Sequence, residues 1–268
     1  MKNKLKQIIA NMRKYNSGVM YKEMFGFDEI EYDALVLAPA WKPTKIIKDT
    51  SFKVTSLAQH SYLSGFLVEK DGLKIAWAQT ASGACNLLDS MVILAEVKFK
   101  TCIFIGAVGG LTSEFEIGDF CTPVECISAV YASKYLEDKL SAFKPFESVF
   151  PAKEDLESLR KIASENGYKL KCAKVFSTDS ISLEYSHLDE IKATGAELIE
   201  METSTFYKVA PLLEVPSFAL LVISDNSATG VELLGRNDFY QEQYHKSRCE
   251  IIPDMIYKIA KSYKIKKQ

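Results

Sequence analysis

Two apolar runs that stop abruptly in carboxylates constrain this chain more than any other feature of it. The first is Glu197-Leu198-Ile199-Glu200-Met201-Glu202 and the second is Leu221-Val222-Ile223-Ser224-Asp225-Asn226. A short apolar run bounded by polar residues reads as a buried strand. An acid at its end stands at the carboxyl edge of the sheet, where open α/β folds keep their ligand sites. Two acids placed this way can divide the work. One holds hydroxyls as an ionised acceptor, and the other donates a proton. That division suits breaking the bond between a base and a ribose.

The rest of the chain supplies an α/β frame for those strand ends. Strands are expected at 34–39, 62–69, 74–80, 101–105, 118–128, 170–177, 197–201 and 217–224. The second and third form a hairpin around Lys70-Asp71-Gly72. Helices are expected at 1–16 (Leu5, Ile8, Ile9 and Met12 on one face), 84–97, 151–167 with Gly167 as its stop, and 202–213. A C-terminal helix begins near Asn237, and Pro253 should kink or break it. Residues 131–150 are aromatic and irregular, as in a surface loop or lid. Alternating strands and helices imply a mostly parallel sheet covered on both faces. With 268 residues and no repeat, linker or low-complexity tract, one domain spanning 1–268 is expected.

Composition excludes several partners. A net charge of −2 does not indicate a nucleic-acid surface. The cluster Lys258, Lys261, Lys264, Lys266 and Lys267 reads as a solvated helix end. No apolar run approaches the roughly 18 residues a membrane span needs. The basic start is not followed by an apolar signal core, so a cytoplasmic location is expected. The six cysteines read as buried thiols. Cys121, Cys126 and His245 match no zinc spacing, and neither a metal nor an organic cofactor is implied.

Smaller motifs admit two readings each. Gly106-Ala107-Val108-Gly109-Gly110 after a strand is a tight turn, or a run of amides that cradles an anion. In Thr80-Ala81-Ser82-Gly83, Ser82 caps the following helix, or the segment binds a phosphate or sugar oxygen. Glu200 and Glu202 face a helix dipole, or Glu202 grips two ribose hydroxyls with Met201 against the sugar. Asp225 starts a turn, or it donates to the departing base. Phe176-Ser177-Thr178-Asp179 is a capping turn, or part of the base pocket.

In this order the segments resemble the nucleoside phosphorylase and nucleosidase superfamily, over Leu35 to Phe239. Gly106–Leu111 with Ile117-Gly118-Asp119-Phe120 is similar to its Gly-rich loop and following strand. Ile199-Glu200-Met201-Glu202-Thr203-Ser204 is similar to its ribose motif. Val222-Ile223-Ser224-Asp225-Asn226 is similar to the motif that carries its catalytic aspartate. The C-terminal third is most similar to AMP nucleosidases, with Ser224 to Arg236 similar to their loop after the aspartate. The resemblance implies a mixed, barrel-like central sheet flanked by helices, and a homo-oligomer with sites near subunit contacts. It makes Asp225 catalytic, Met201 and Glu202 ribose-binding, and Phe176, Ser177 and Asp179 base-pocket residues. Thr44, Lys45, Ser82, Gly83, Gly106 and Ala107 become the acceptor or phosphate region.

This chain departs from the family at the acceptor end. The first loop, Ala38 to Lys45, has no arginine, and Phe104 and Ala107 stand where an arginine and a serine are expected. A phenyl ring cannot make the parallel bonds of a guanidinium to phosphate. The glutamate that hydrolytic nucleosidases place in the first loop is also absent. The expected activity is cleavage of the N-glycosidic bond of a nucleoside or nucleoside monophosphate, with a purine as the base. The acceptor is phosphate or water, and the missing arginines favour water. The alternative is a catalytically silent binding or storage relative with the same fold.

Overall fold

The computed structural model describes residues 2–142 and 144–265. Its strands are β1 (Glu31–Tyr32), β2 (Ala34–Pro39), β3 (Lys53–Gln59), β4 (Ser64–Lys70), β5 (Leu73–Thr80) and β6 (Lys98–Phe99). They continue as β7 (Cys102–Gly110), β8 (Phe120–Ser128), β9 (Glu147–Val149), β10 (Leu170–Ser177), β11 (Leu198–Glu200) and β12 (Ser217–Asn226). The helices are α1 (Lys2–Arg13), α2 (Met20–Phe25), α3 (Pro43–Ile46), α4 (Ala84–Leu94), α5 (Lys153–Glu165), α6 (Leu188–Ala193), α7 (Thr203–Leu213), α8 (Asp238–Lys246) and α9 (Ile252–Ile265).

Apart from the short β1–β6 pair, the strands form one sheet in the order β11-β10-β8-β12-β7-β2-β5-β4-β3, with β9 on β8. β11 also pairs with β7. Strands β11, β10, β8, β12 and β7 therefore close into a five-stranded barrel, and β2 to β5 extend from it as a wing. Pairing within the barrel is mixed: β8–β12 and β7–β11 run antiparallel, the others parallel. This is the barrel-like sheet that the resemblance implies. Phe218 to Ile223 are all buried, because β12 is covered on both sides. That double coverage explains an unbroken apolar run where a one-sided strand would alternate. Each of these side chains other than Ala219 contributes about 1.5–3 kcal/mol through its burial.

Several elements differ from the sequence expectation. The glycine stretch 106–110 is neither turn nor loop; it is the second half of β7. Segment 131–150 contains two 3-10 turns and β9, and Ala132, Ser133 and Leu136 are buried. The C-terminal helix is interrupted by a π-helical turn at Ser247–Ile251. Pro253 follows directly inside the continuing helix, so the expected break falls as this π-helical turn just before it. Cys85 is exposed rather than buried. Cys121 Sγ donates to Asp119 O, Cys126 Sγ to Thr203 Oγ1, and His245 lies against Cys249, so the three do not gather. Lys264 Nζ donates to Gly72 O at 2.7 Å, so the end of α9 is pinned to the β4–β5 turn. Met1, Lys266 and Lys267 lie outside the described residues. No helix among the described residues is long and apolar enough to cross a membrane.

Candidate active site

Strands β7, β11 and β12 meet at one rim of the barrel. Asp225 pairs with Gly109 and Asn226 with Gly110, while Ile199 and Leu198 face the same two glycines from β11. A Cβ at Gly109 would lie 3.0 Å from Asp225 Oδ2, and one at Gly110 would lie 2.4 Å from Asn226 Nδ2. The glycines thus clear space for the side chains of the next strand. A register irregularity between Ile223 and Asp225 places a bulge at Ser224, which re-aims the strand end. On its other side β7 pairs with β2 over Cys102–Phe104 and with β11 at Gly109–Gly110. Gly106, Ala107 and Val108 lie between those ladders, and there a cleft opens.

The cleft holds about 240 Å³. That is just below the roughly 300–1,000 Å³ usual for small-molecule sites. Of the residues expected from the sequence, Met201, Glu202, Asp225, Ser82, Gly106 and Ala107 line it. Pro39, Ala40 and Trp41 close one end. Ile181, Glu184, Tyr185 and Leu233 complete the wall. No lysine or arginine is among the described residues that line it.

The two acids of the first run have separate tasks. Glu200 accepts four hydrogen bonds: Ser177 Oγ at 2.6 Å, Thr203 Oγ1 at 2.7 Å, and the amides of Glu202 and Thr203 at 2.6 and 2.7 Å. Ser177 Oγ itself accepts from Ser204 N, and Thr203 Oγ1 from Cys126 Sγ, so both hydroxyl protons point at Glu200. Burial pushes the Glu200 carboxyl up. Four donors and no proton of its own to place nevertheless hold it ionised, as the cap of α7. Glu202 accepts from the backbone amides of Gly83 and Met201. Burial, and next the charge of Glu200, push its carboxyl up to about 8.

Asp225 is half-buried and accepts a hydrogen bond from Ser224 Oγ at 2.5 Å. Burial pushes its carboxyl up, against the Ser224 bond and the nearby Arg236. Arg236 Nη1 donates to Ser224 O at 2.7 Å, and its guanidinium lies 4.6 Å from the Tyr244 ring centre. The neighbouring Asn226 is structural. Its amide donates to Thr112 O and Phe115 O and accepts from Ala228 N and Thr229 N. Arg248 stacks 4.8 Å from Trp41 and braces the cleft end. His60 bonds Glu23 O at 3.1 Å, away from the cleft.

The remaining expected residues lie elsewhere. Ser177 is buried beneath Glu200. Phe176 and Asp179 line a neighbouring cavity, where Asp179 accepts from Tyr131 N. Thr44 and Lys45 are exposed on α3 and do not reach the cleft wall. Phe104 is buried against Phe206, with ring centres 5.6 Å apart. Ser82 does not cap α4: Gly83 takes the N-cap position at φ 102°, and its amide serves Glu202 instead. Sequence reasoning missed Glu184 and Tyr185, which lie in a polar turn with no periodicity. The excess of acids just past β10 was the available signal.

The fold has known relatives. The phosphorylase superfamily profile matches residues 66–250. Purine nucleoside phosphorylases of the DeoD type from Anoxybacillus flavithermus and Geobacillus stearothermophilus are each 24% identical over 63% of this chain and 70% of their own. The 5'-methylthioadenosine/S-adenosyl homocysteine nucleosidase of Campylobacter jejuni shares the fold, with TM-score 0.66, 18% identity, and coverage of 85% of this chain and 98% of that one. AMP nucleosidase from Bacteroides thetaiotaomicron does so with TM-score 0.63, 20% identity, and coverage of 88% and 95%. The chain belongs to the phosphorylase superfamily, the enzymes of nucleoside phosphorolysis and hydrolysis.

Proposed function

We propose that this enzyme cleaves the N-glycosidic bond of a purine ribonucleoside or its monophosphate, with water as the acceptor. One observation carries the reading: Glu202 and Asp225 line a single cleft whose described wall bears carboxyls and no cation. Free phosphate in the acceptor position would find no lysine or arginine in that wall to offset its charge. Water meets no such penalty.

In this reading Glu202 holds the 2′ and 3′ hydroxyls. Two hydroxyl donors favour its ionised form and pull its raised carboxyl back down on binding. Met201 packs against the sugar. As the C1′–N bond breaks, its electron pair moves to the base, and Asp225 delivers its proton to a base nitrogen. Burial keeps that proton on Asp225 at higher pH than usual, as a general acid requires. Water then adds to C1′ and loses a proton. The AMP nucleosidase likeness and the DeoD-type relatives support a purine.

The test is base release from a panel of nucleosides and monophosphates, with and without phosphate. Release independent of phosphate is expected. Release only with phosphate would make the enzyme a phosphorylase, and tight binding without release would make it a silent relative.

A further inference from the structure

Glu184 has no part in that scheme, yet it occupies a position where a carboxyl is costly. It opens the 3-10 turn Glu184–His187 beyond β10, and its amide donates to Ser180 O at 3.2 Å. It lines the cleft together with Asp225. It also lines a second cavity of about 270 Å³ behind the same turn, with Asp179, His187 and Glu190. Among the described residues, it is the ionisable side chain common to both walls. The titratable and charged groups around it come from several elements. They are Asp225 on β12 and Glu200 and Glu202 at the β11–α7 junction, while Glu232 and Arg236, in the loop after β12, act on its neighbours Tyr185 and Asp225. Tyr185, Asp179, His187 and Glu190 flank its own turn. Burial and the charge of Asp225 push its carboxyl up to about 7. It can therefore carry or yield a proton near neutrality.

The geometry points to Glu184 as the proton relay that reloads Asp225 from solvent through the second cavity. The inference rests on the proposed glycosidic cleavage. After the base has left with the proton of Asp225, that residue is a carboxylate. Glu184 gives it a proton and takes one back from water in the second cavity. The water that added to C1′ returns one proton to solvent. Riboside and water enter, protonated base and free ribose leave, and no oxidant or reductant is needed. Two carboxyls facing one site and unable to be ionised together at low cost suit this exchange.

The experiment compares parent, Glu184→Gln and Glu184→Asp with a nucleoside the parent cleaves, from pH 5 to 9, in rising concentrations of imidazole or acetate buffer. The parent should lose kcat above about pH 7 and ignore buffer concentration. Glu184→Gln should lose about 10- to 100-fold in kcat with little change in KM, below most of the range that a directly acting general acid supplies. It should lose the limb near pH 7 and regain rate in proportion to buffer acid. Glu184→Asp should keep the limb at an intermediate rate. A Glu184→Gln enzyme with parental rate and profile would overturn the relay. So would a fall in rate that is uniform in pH and indifferent to buffer acid, as a merely structural role would give. A parent inactive on every nucleoside and nucleoside monophosphate would sink the proposed reaction, and the relay with it.

Discussion

Replacing Glu202 by glutamine should make this protein more stable as the pH rises. The Glu202 carboxyl is buried beside the ionised Glu200, and it titrates at about 8 rather than near 4.5. Below pH 4 it is protonated in both folded and unfolded chains and contributes nothing to pH dependence. Between about pH 5 and 8 only the unfolded chain ionises, so unfolding is favoured by about 1.4 kcal/mol for each pH unit. Above 8 both states are ionised and the penalty levels off, at roughly 3–5 kcal/mol after allowance for relaxation. Glutamine keeps an oxygen for the Gly83 amide and removes the charge. At pH 5 the variant should lie within about 1 kcal/mol of the parent, since its extra N–H needs a partner. By pH 8 it should be more stable by roughly 3 kcal/mol, with a melting gap that widens by about 3 °C per pH unit. Urea unfolding at four pH values measures this directly. Parallel stability curves, or a gap that shrinks with pH, would refute the argument that Glu202 is a desolvated acid beside a second charge.

Other consequences are equally concrete. Asp225→Asn should retain the Ser224 bond and the parental melting temperature while losing about 100- to 10,000-fold in turnover, measured as base release; an unchanged rate removes Asp225 from the chemistry. Ribonucleoside binding at pH 7 should release a proton from Glu202, visible as a binding heat that depends on buffer ionisation enthalpy and vanishing in Glu202→Gln. Glu200→Ala strips the acceptor from four buried donors and should cost about 3–5 kcal/mol in denaturant unfolding. Gly110→Ala drives a methyl into the Asn226 amide, which Thr112 O and Phe115 O hold in place, and should cost about 2 kcal/mol and slow turnover.

The strand-end acids were legible because a fully buried strand leaves a local signature, an apolar run with a polar stop. The same signature located β2, β10, β11 and β12 to within a few residues, and the first half of β7. Gly106–Gly110 was misread as turn or loop because the reason for its glycines lies across the sheet, in the bulk of Asp225 and Asn226. Ser82 looked like a helix cap because serine before a helix usually is one, and only the packed chain shows the Gly83 amide turned toward Glu202.

Sequence alone was sufficient to determine an α/β chain with acids at two strand tips, since burial and termination are local properties of a run of residues. It could not decide which acid of Glu200-Met201-Glu202 caps a helix and which faces a cleft. That choice belongs to Ser177, Thr203 and Gly83, which reach the two carboxyls from three separate elements. Nor could it set Glu184 against Asp225. Electrostatic partnership depends on distance through space, and only closure of the barrel brings those carboxyls to one wall.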